Sequence, residues 1–144
     1  MLEPLQSEAR SLGIFEDCVF VPATQDVATW LRAIDIFVLP SLSEAFSNSI
    51  MEAMACGCCT VASNVGGNPE LVHPDETGML FRAGDPEDLA SSLRTLISQP
   101  DLRRDLAGRA ESFIRTNFST AAAARRMAEI YTALLSTGEK TPAP

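Results

Sequence analysis

Glu44 and Glu52 stand eight residues apart in the segment Pro40-Ser41-Leu42-Ser43-Glu44-Ala45-Phe46-Ser47-Asn48-Ser49-Ile50-Met51-Glu52-Ala53-Met54. The segment leaves an apolar run, turns, and enters an amphipathic stretch expected to be helical from Phe46 to Ala55 and to stop at Gly57. Ser47 and Asn48 are capping residue types near the start of that helix. The first turn of a helix presents free N–H groups and the positive end of the dipole, which together make a ready anion site. A phosphate is the natural occupant. At about 100° per residue, Ile50, Met51 and Met54 share the face expected to meet a sheet, and Asn48, Glu52 and Ala55 share another. Glu52 therefore sits about one turn in from the helix start, and Glu44 lies before it, at the strand end.

Carboxylates do not bind phosphates. They accept hydrogen bonds from vicinal hydroxyls, and their two oxygens can take a diol. The combination suits a ligand whose phosphate is flanked by polyol groups, and a nucleotide sugar has that layout. Taken alone, the pair is a weak signal and reads more readily as a loop acid and a solvated helix residue.

The elements that would position these groups alternate along the chain. Leu5 to Leu12 reads as a helix closed by Gly13, and Val19-Phe20-Val21 as a strand stopped by Pro22. Thr24 or Asp26 can cap a helix carrying Val27, Trp30, Leu31 and Ile34. Ile36 to Leu39 is a continuous apolar strand closed by Pro40, the pattern of a strand buried on both faces. Cys59 to Ala62 is a further strand, Gly66-Gly67 a turn, and Pro69 the opening of a short helix. Gly78 precedes a strand at Met79 to Phe81. Asp85 as N-cap and Pro86 at N1 open a helix through Leu89, Leu93, Leu96 and Ile97. Two more helices are expected over about Leu102 to Ile114 and Thr120 to Leu135.

Alternation of strand and helix predicts an α/β fold with a Rossmann-like parallel sheet flanked by helices, followed by C-terminal helices. Ligands on such sheets bind beyond the carboxyl ends of the strands, here after Leu39, Ala62 and Phe81. The 144 residues fit one domain over 1–136, with a polar tail over 137–144 expected to be disordered.

Composition narrows the partners. Apolar residues make up 46% of the chain and no apolar run approaches a membrane span. Eleven basic against nineteen acidic residues give a net charge of −8, which argues against a nucleic-acid partner or an anionic membrane surface for this segment. Met1-Leu2-Glu3-Pro4 lacks the basic flank and apolar core of a secretory signal, so a cytoplasmic chain with reduced thiols is expected at Cys18, Cys56, Cys58 and Cys59. His73, the only histidine, precedes a proline in a loop and reads as exposed. Trp30 and Phe37 read as core, and the Arg103-Arg104 and Arg125-Arg126 pairs as solvated helix faces.

Three blocks in this spacing resemble the group 1 (family 4) retaining glycosyltransferases. They are Asp35 to Phe46 (DIFVLPSLSEAF) running on to Glu52 to Gly57 (EAMACG), then Val61 to Val72 (VASNVGGNPELV), then Glu76 to Ala90. Ile34 stands where the family has Ala. The resemblance covers roughly Val19 to Leu96, and the C-terminal helices more loosely. It implies the donor-binding, C-terminal domain of a GT-B enzyme. Glu44 matches the first Glu of the E-x7-E motif, the catalytic candidate, which holds hydroxyls of the donor sugar. Glu52 matches the second, which holds the nucleotide ribose. Backbone amides around Phe46, Ser47 and Asn48 match contacts to sugar and diphosphate, and Gly66 and Gly67 match the glycine turn beside the donor site. No metal and no cofactor are implied. The substrate is a nucleotide-diphosphate sugar, UDP- or GDP-linked.

The resemblance also implies absent parts. The N-terminal acceptor domain is not represented. Nor are two strands and a helix that precede the Val19 block in the family, with the Arg and Lys that clamp the diphosphate. Between Arg32 and Arg82 there is no Lys or Arg. Without those strands, the strands near Val19 and Ile36 must pair directly or leave apolar edges bare, which invites association. The expected activity is transfer of a sugar to a hydroxyl with retention. The alternative is a donor-binding module or fragment inactive on its own; a pseudoenzyme and a UDP-sugar epimerase of the same fold fit less well. Attachment to the inner face of a membrane is open for the parent enzyme only.

Overall fold

The computed structural model describes residues 2–138. Its centre is a three-stranded parallel sheet in the order β1-β2-β3, formed by Ile36–Leu39, Cys59–Ser63 and Gly78–Phe81. The strands are in register through Leu39 opposite Ala62 and Ser63 opposite Phe81, so their carboxyl ends finish together. The helices are α1 (Leu2–Ser11), α2 (Val27–Ala33), α3 (Asn48–Ala55), α4 (Asn68–Leu71), α5 (Pro86–Ser98), α6 (Pro100–Asn117) and α7 (Thr120–Gly138).

The period of two along each strand decides which helices cover which face. Phe37, Leu39 and Ala62 pack with Ile50 and Met54 of α3, Leu71 of α4, and Ala110 and Ile114 of α6. Ile36, Val38, Cys59 and Val61 pack on the other face with Leu93 and Leu96 of α5 and Leu102 and Leu106 of α6. Every residue of β2 is buried, as the central strand of a parallel sheet must be. The predicted face of α3 is the observed one: Ile50 and Met54 are fully buried and Glu52 is exposed.

Local signals act as expected at several ends. Gly13 and Gly57 close α1 and α3 with φ of 71° and 82°. Asp85 caps α5 by accepting from the Asp88 N–H at 3.0 Å, with Pro86 next in line. Asp88 in turn accepts from the Arg82 backbone N–H at 2.8 Å, and that bond holds its carboxyl below the usual range. At α2, Asp26 occupies the cap position but its side chain makes no capping bond.

Several expectations are corrected by the structure. Val19-Phe20-Val21 is not a strand: among the described residues no partner strand lies beside it, and Val19 is 82% exposed. An extended segment becomes a strand only when its N–H and C=O groups find a neighbour. Trp30 is not core. It is 46% exposed and lines an apolar groove of about 410 Å³ with Val21, Val27, Ile34 and Phe37. Among the described residues β1 pairs with β2 alone, so one edge of the sheet is bare. His73 is half-buried, edge-on to Phe113 at 5.0 Å. Arg103 is not merely solvated: it donates to Leu96 O at 3.2 Å and pairs with Asp35 at 3.4 Å. The C-terminal helix continues to Gly138, past the expected domain end at 136, and the remainder of the expected tail lies outside the described residues.

All four cysteines are free thiols. Cys58 and Cys59 are fully buried, and burial pushes both thiols up to about 11. Cys58 Sγ also donates to Leu31 O at 2.9 Å. Because the thiolate is the reactive form, iodoacetamide at about pH 8 is expected to label Cys18 and Cys56 in the native chain and spare Cys58 and Cys59. Peptide mass mapping reads this, and labelling of Cys58 or Cys59 at the rate seen in denaturant would contradict the packing.

Candidate functional site

The three strands end together, and the loops that follow them converge. After β1 the chain runs through Pro40 to Ser47 without regular structure before entering α3. The helix begins at Asn48, two residues later than the sequence pattern predicts. Phe46 is left in the loop, exposed, with its ring 5.8 Å from that of Phe118. Phe118 follows α6 and is further stacked edge-on with Phe113 at 5.6 Å. The end of α6 thus reaches the loop from far along the chain, a contact with no signature in the sequence.

Ser47 is the N-cap of α3. Its Oγ accepts from the Ile50 N–H at 3.4 Å and bonds Ser49 Oγ at 2.9 Å. The residue is buried, and its hydroxyl is occupied by these bonds. Asn48 is exposed beside it, at the first helical position. The four-residue α4 starts at Asn68, after the Gly66-Gly67 turn.

That turn locks onto the loop after β1. The Gly67 N–H donates to Ala45 O at 2.9 Å. Gly66 has φ of 51°, and a Cβ there would lie 1.6 Å from Glu44 O. A Cβ on Gly67 would lie 2.3 Å from Ala45 O. The glycines therefore admit the backbone of Glu44 and Ala45, a more specific demand than an ordinary turn.

Glu44 is half-buried, and its Oε1 accepts from Ser41 Oγ at 2.7 Å. Ser41 O accepts from Ser63 Oγ at 2.6 Å, at the end of β2. Beyond the same strand ends, Pro40 and Leu42 line a cavity of about 250 Å³ with Phe81, Gly84, Asp85 and Leu89. Glu52 lies elsewhere on α3. It lines a groove against α2 with Gln25, Ala28 and Cys56, and a second against α6 with Ile114, Arg115 and Phe118, each of about 400 Å³. Glu44 lines neither. The structure thus gathers Glu44, Phe46, Ser47, Asn48, Gly66 and Gly67 around one loop, with Glu52 on the flank of the helix that the loop starts.

Cations near the site are engaged. Arg82 pairs with Asp85 at 2.8 Å and with Asp88 at 3.4 Å. Arg115 pairs with Glu111 at 2.7 Å. Sequence reasoning left Ser41, Ser63 and Phe118 aside. Only Ser41 carried a signal, its position three residues before an acid, and that pattern is common in loops.

The model of the family described as "Glycosyl transferases group 1" matches residues 2–99. The chain belongs to the group 1 glycosyltransferases. It is 37% identical over 143 residues to a D-inositol 3-phosphate glycosyltransferase of Thermomonospora curvata, covering 98% of this chain and 33% of the relative. The chain therefore spans about a third of the length of the curated relatives it matches. Among solved structures it is similar to sucrose-phosphate synthase of Thermosynechococcus elongatus, with a TM-score of 0.83 and 28% identity over 94% of this chain and 34% of that one. It is also similar to Anabaena HepE, solved with UDP and with UDP-glucose. There the UDP complex gives a TM-score of 0.86 and 26% identity over 92% of this chain and 36% of that one. A separately solved C-terminal domain of a Francisella tularensis group 1 enzyme also matches, with a TM-score of 0.73 and 28% identity over 82% of this chain and 62% of that one. The sheet with its flanking helices is thus the Rossmann-like C-terminal part of a GT-B glycosyltransferase. None of its described helices is long and apolar enough to cross a membrane.

Proposed function

We propose that this chain supplies the donor site of a retaining glycosyl transfer, in which a sugar moves from a nucleotide diphosphate to an acceptor hydroxyl. The observation that carries the reading is the placement of Glu44. Its carboxylate is held at the carboxyl ends of the strands, beside the start of α3, in a loop locked by Gly66 and Gly67. The similarity to HepE, solved with UDP-glucose, supports a nucleotide-sugar ligand. Glu44 would accept hydrogen bonds from donor-sugar hydroxyls and Glu52 from the ribose. The amides of Phe46, Ser47 and Asn48 would face the sugar and diphosphate. In the transfer, the bond from the anomeric carbon to the diphosphate breaks and the bond to the acceptor oxygen forms on the same face. The acceptor proton passes to the leaving diphosphate. Groups that stabilise the charge on that leaving oxygen supply the main catalytic effect.

One observation favours a second reading for the 144 residues by themselves, donor binding without transfer. A helix terminus contributes only about 0.3–1 kcal/mol toward an exposed anion. Arg82 and Arg115 are each paired with a carboxylate in an exposed ion pair on the surface of the fold. This segment alone therefore holds a diphosphate weakly, through backbone amides and carboxylate contacts to hydroxyls, and cations supplied from elsewhere would strengthen the site for transfer.

A thermal melt with excess UDP, GDP and ADP tests the donor site. A ligand at roughly 100 times its dissociation constant adds about 2.7 kcal/mol, which raises the midpoint of a domain this size by roughly 8 °C. One diphosphate is expected to do so and thereby to name the base. A cooperative melt that none of the three moves would sink the donor-site reading for this chain.

A further inference from the structure

The hydrogen bond on Glu44 is the top of a relay that runs down into the buried sheet. Ser41 Oγ donates to Glu44 Oε1 at 2.7 Å. The carbonyl of Ser41 accepts from Ser63 Oγ at 2.6 Å. The carbonyl of Ser63 accepts from Asn68 Nδ2 at 3.0 Å. Ser63 and Asn68 are both fully buried. The first link lies within the loop after β1, and the other two tie that loop to the last residue of β2 and that residue to the first residue of α4.

We infer that Ser41 is a positioning residue that sets the direction of the Glu44 carboxylate, with Ser63 and Asn68 fixing Ser41 in turn. The inference rests on the donor-site reading of Glu44. A glutamate side chain turns about three torsions, and a half-buried loop position restricts them only in part. A hydroxyl donating to a carboxylate makes a charge-assisted bond, among the stronger and shorter kinds. With Oε1 held by Ser41, Oε2 is left for a ligand hydroxyl. An acceptor already in its bound orientation loses less freedom when the ligand arrives.

The chemistry of the relay separates positioning from packing. Ser63 binds the backbone carbonyl of Ser41, which any residue at that position would keep. Ser41→Ala therefore removes only the last link and leaves the buried part intact. Ser41→Thr keeps the hydroxyl and serves as the conservative rescue.

Calorimetric titration of the 144-residue chain and of these two variants with UDP and with UDP-glucose is the test. Ser41→Ala is expected to weaken UDP-glucose by roughly three- to tenfold, the cost of ordering one freed rotamer-rich side chain when the ligand binds. UDP, which lacks the sugar, should change by less than about twofold, and Ser41→Thr should recover most of the loss. A purely structural role would move both ligands together. Equal weakening of both, no weakening of either, or failure of Ser41→Thr to rescue overturns the inference. If the unaltered chain binds neither ligand, the donor-site reading fails first, and crystal structures of the two variants then decide. A Glu44 carboxylate displaced in Ser41→Ala and retained in Ser41→Thr upholds positioning. A carboxylate unmoved in both overturns it.

Discussion

Gly66→Ala is expected to destabilise the chain by about 3 kcal/mol, with a fall in melting temperature on the order of 10 °C. Two separate effects add. At φ of 51° an L side chain sits in the left-handed region, which costs on the order of 1 kcal/mol or more. The new Cβ would also lie 1.6 Å from Glu44 O and 2.7 Å from Glu44 C. Both contacts are with backbone, so no side-chain rotation relieves them. The loop after β1 has to move, and overpacking of this kind costs roughly 1–3 kcal/mol. Gly84→Ala separates the two effects. Gly84 has φ of 75°, but a methyl group there would meet nothing within 4 Å, so only the backbone strain should appear, roughly 1 kcal/mol. Urea unfolding of the two variants reads the difference. Equal losses would mean that the Gly66-Gly67 turn does not bear on the Glu44 backbone. A greater loss at Gly66 ties stability and the candidate site to one contact, since the backbone that yields carries Glu44.

What could be read from the residues alone follows from how local each cause is. The strands at Ile36, Cys59 and Gly78 announce themselves because apolar runs between Gly and Pro have few other uses. The starts and stops of helices at Asp85, Gly13 and Gly57 depend on a cap or a φ within a few residues. Val19-Phe20-Val21 has the same apolar composition yet is no strand, because pairing belongs to two segments and no strand pairs with it among the described residues. Trp30 follows from a similar cause: its helix face is apolar, but among the described residues that face borders an open apolar groove with Val21, Ile34 and Phe37. At the candidate site, the turn and the cap could be read from residue types, and the partners of those residues could not. Two glycines after a strand predict a turn, but nothing in Gly66-Gly67 says that Glu44 and Ala45 press against it. Ser41, Ser63 and Asn68 are ordinary polar residues until the fold stacks their segments.

Glu52→Ala is expected to remove about half or more of the stabilisation that a matching nucleoside diphosphate gives, while the melting temperature without ligand stays within about 2 °C. The second half follows from position. Glu52 is exposed on α3, its removal leaves the buried Ile50 and Met54 untouched, and alanine is favoured in a helix. The first half follows from the proposed ribose contact. Hydrogen bonds to a charged group are worth roughly 1.5–3 kcal/mol, which is about ten- to a hundredfold in affinity. At a ligand concentration that stabilises the unaltered chain by about 2.7 kcal/mol, such a loss leaves between about 1.4 and about 0.4 kcal/mol. Glu44→Ala makes the contrast. In the donor-site reading Glu44 meets the sugar, so the variant should keep the full response to the diphosphate and lose part of the response to the nucleotide sugar. The two glutamates line different parts of the surface, Glu52 the grooves flanking α3 and Glu44 the loop at the strand ends. Loss of both responses in Glu52→Ala, against loss of only the sugar-dependent part in Glu44→Ala, would therefore assign one end of a single donor to each. If both variants lost the same response to UDP, the ribose and sugar assignments could not both stand, and Glu44 would have to act on the nucleotide itself.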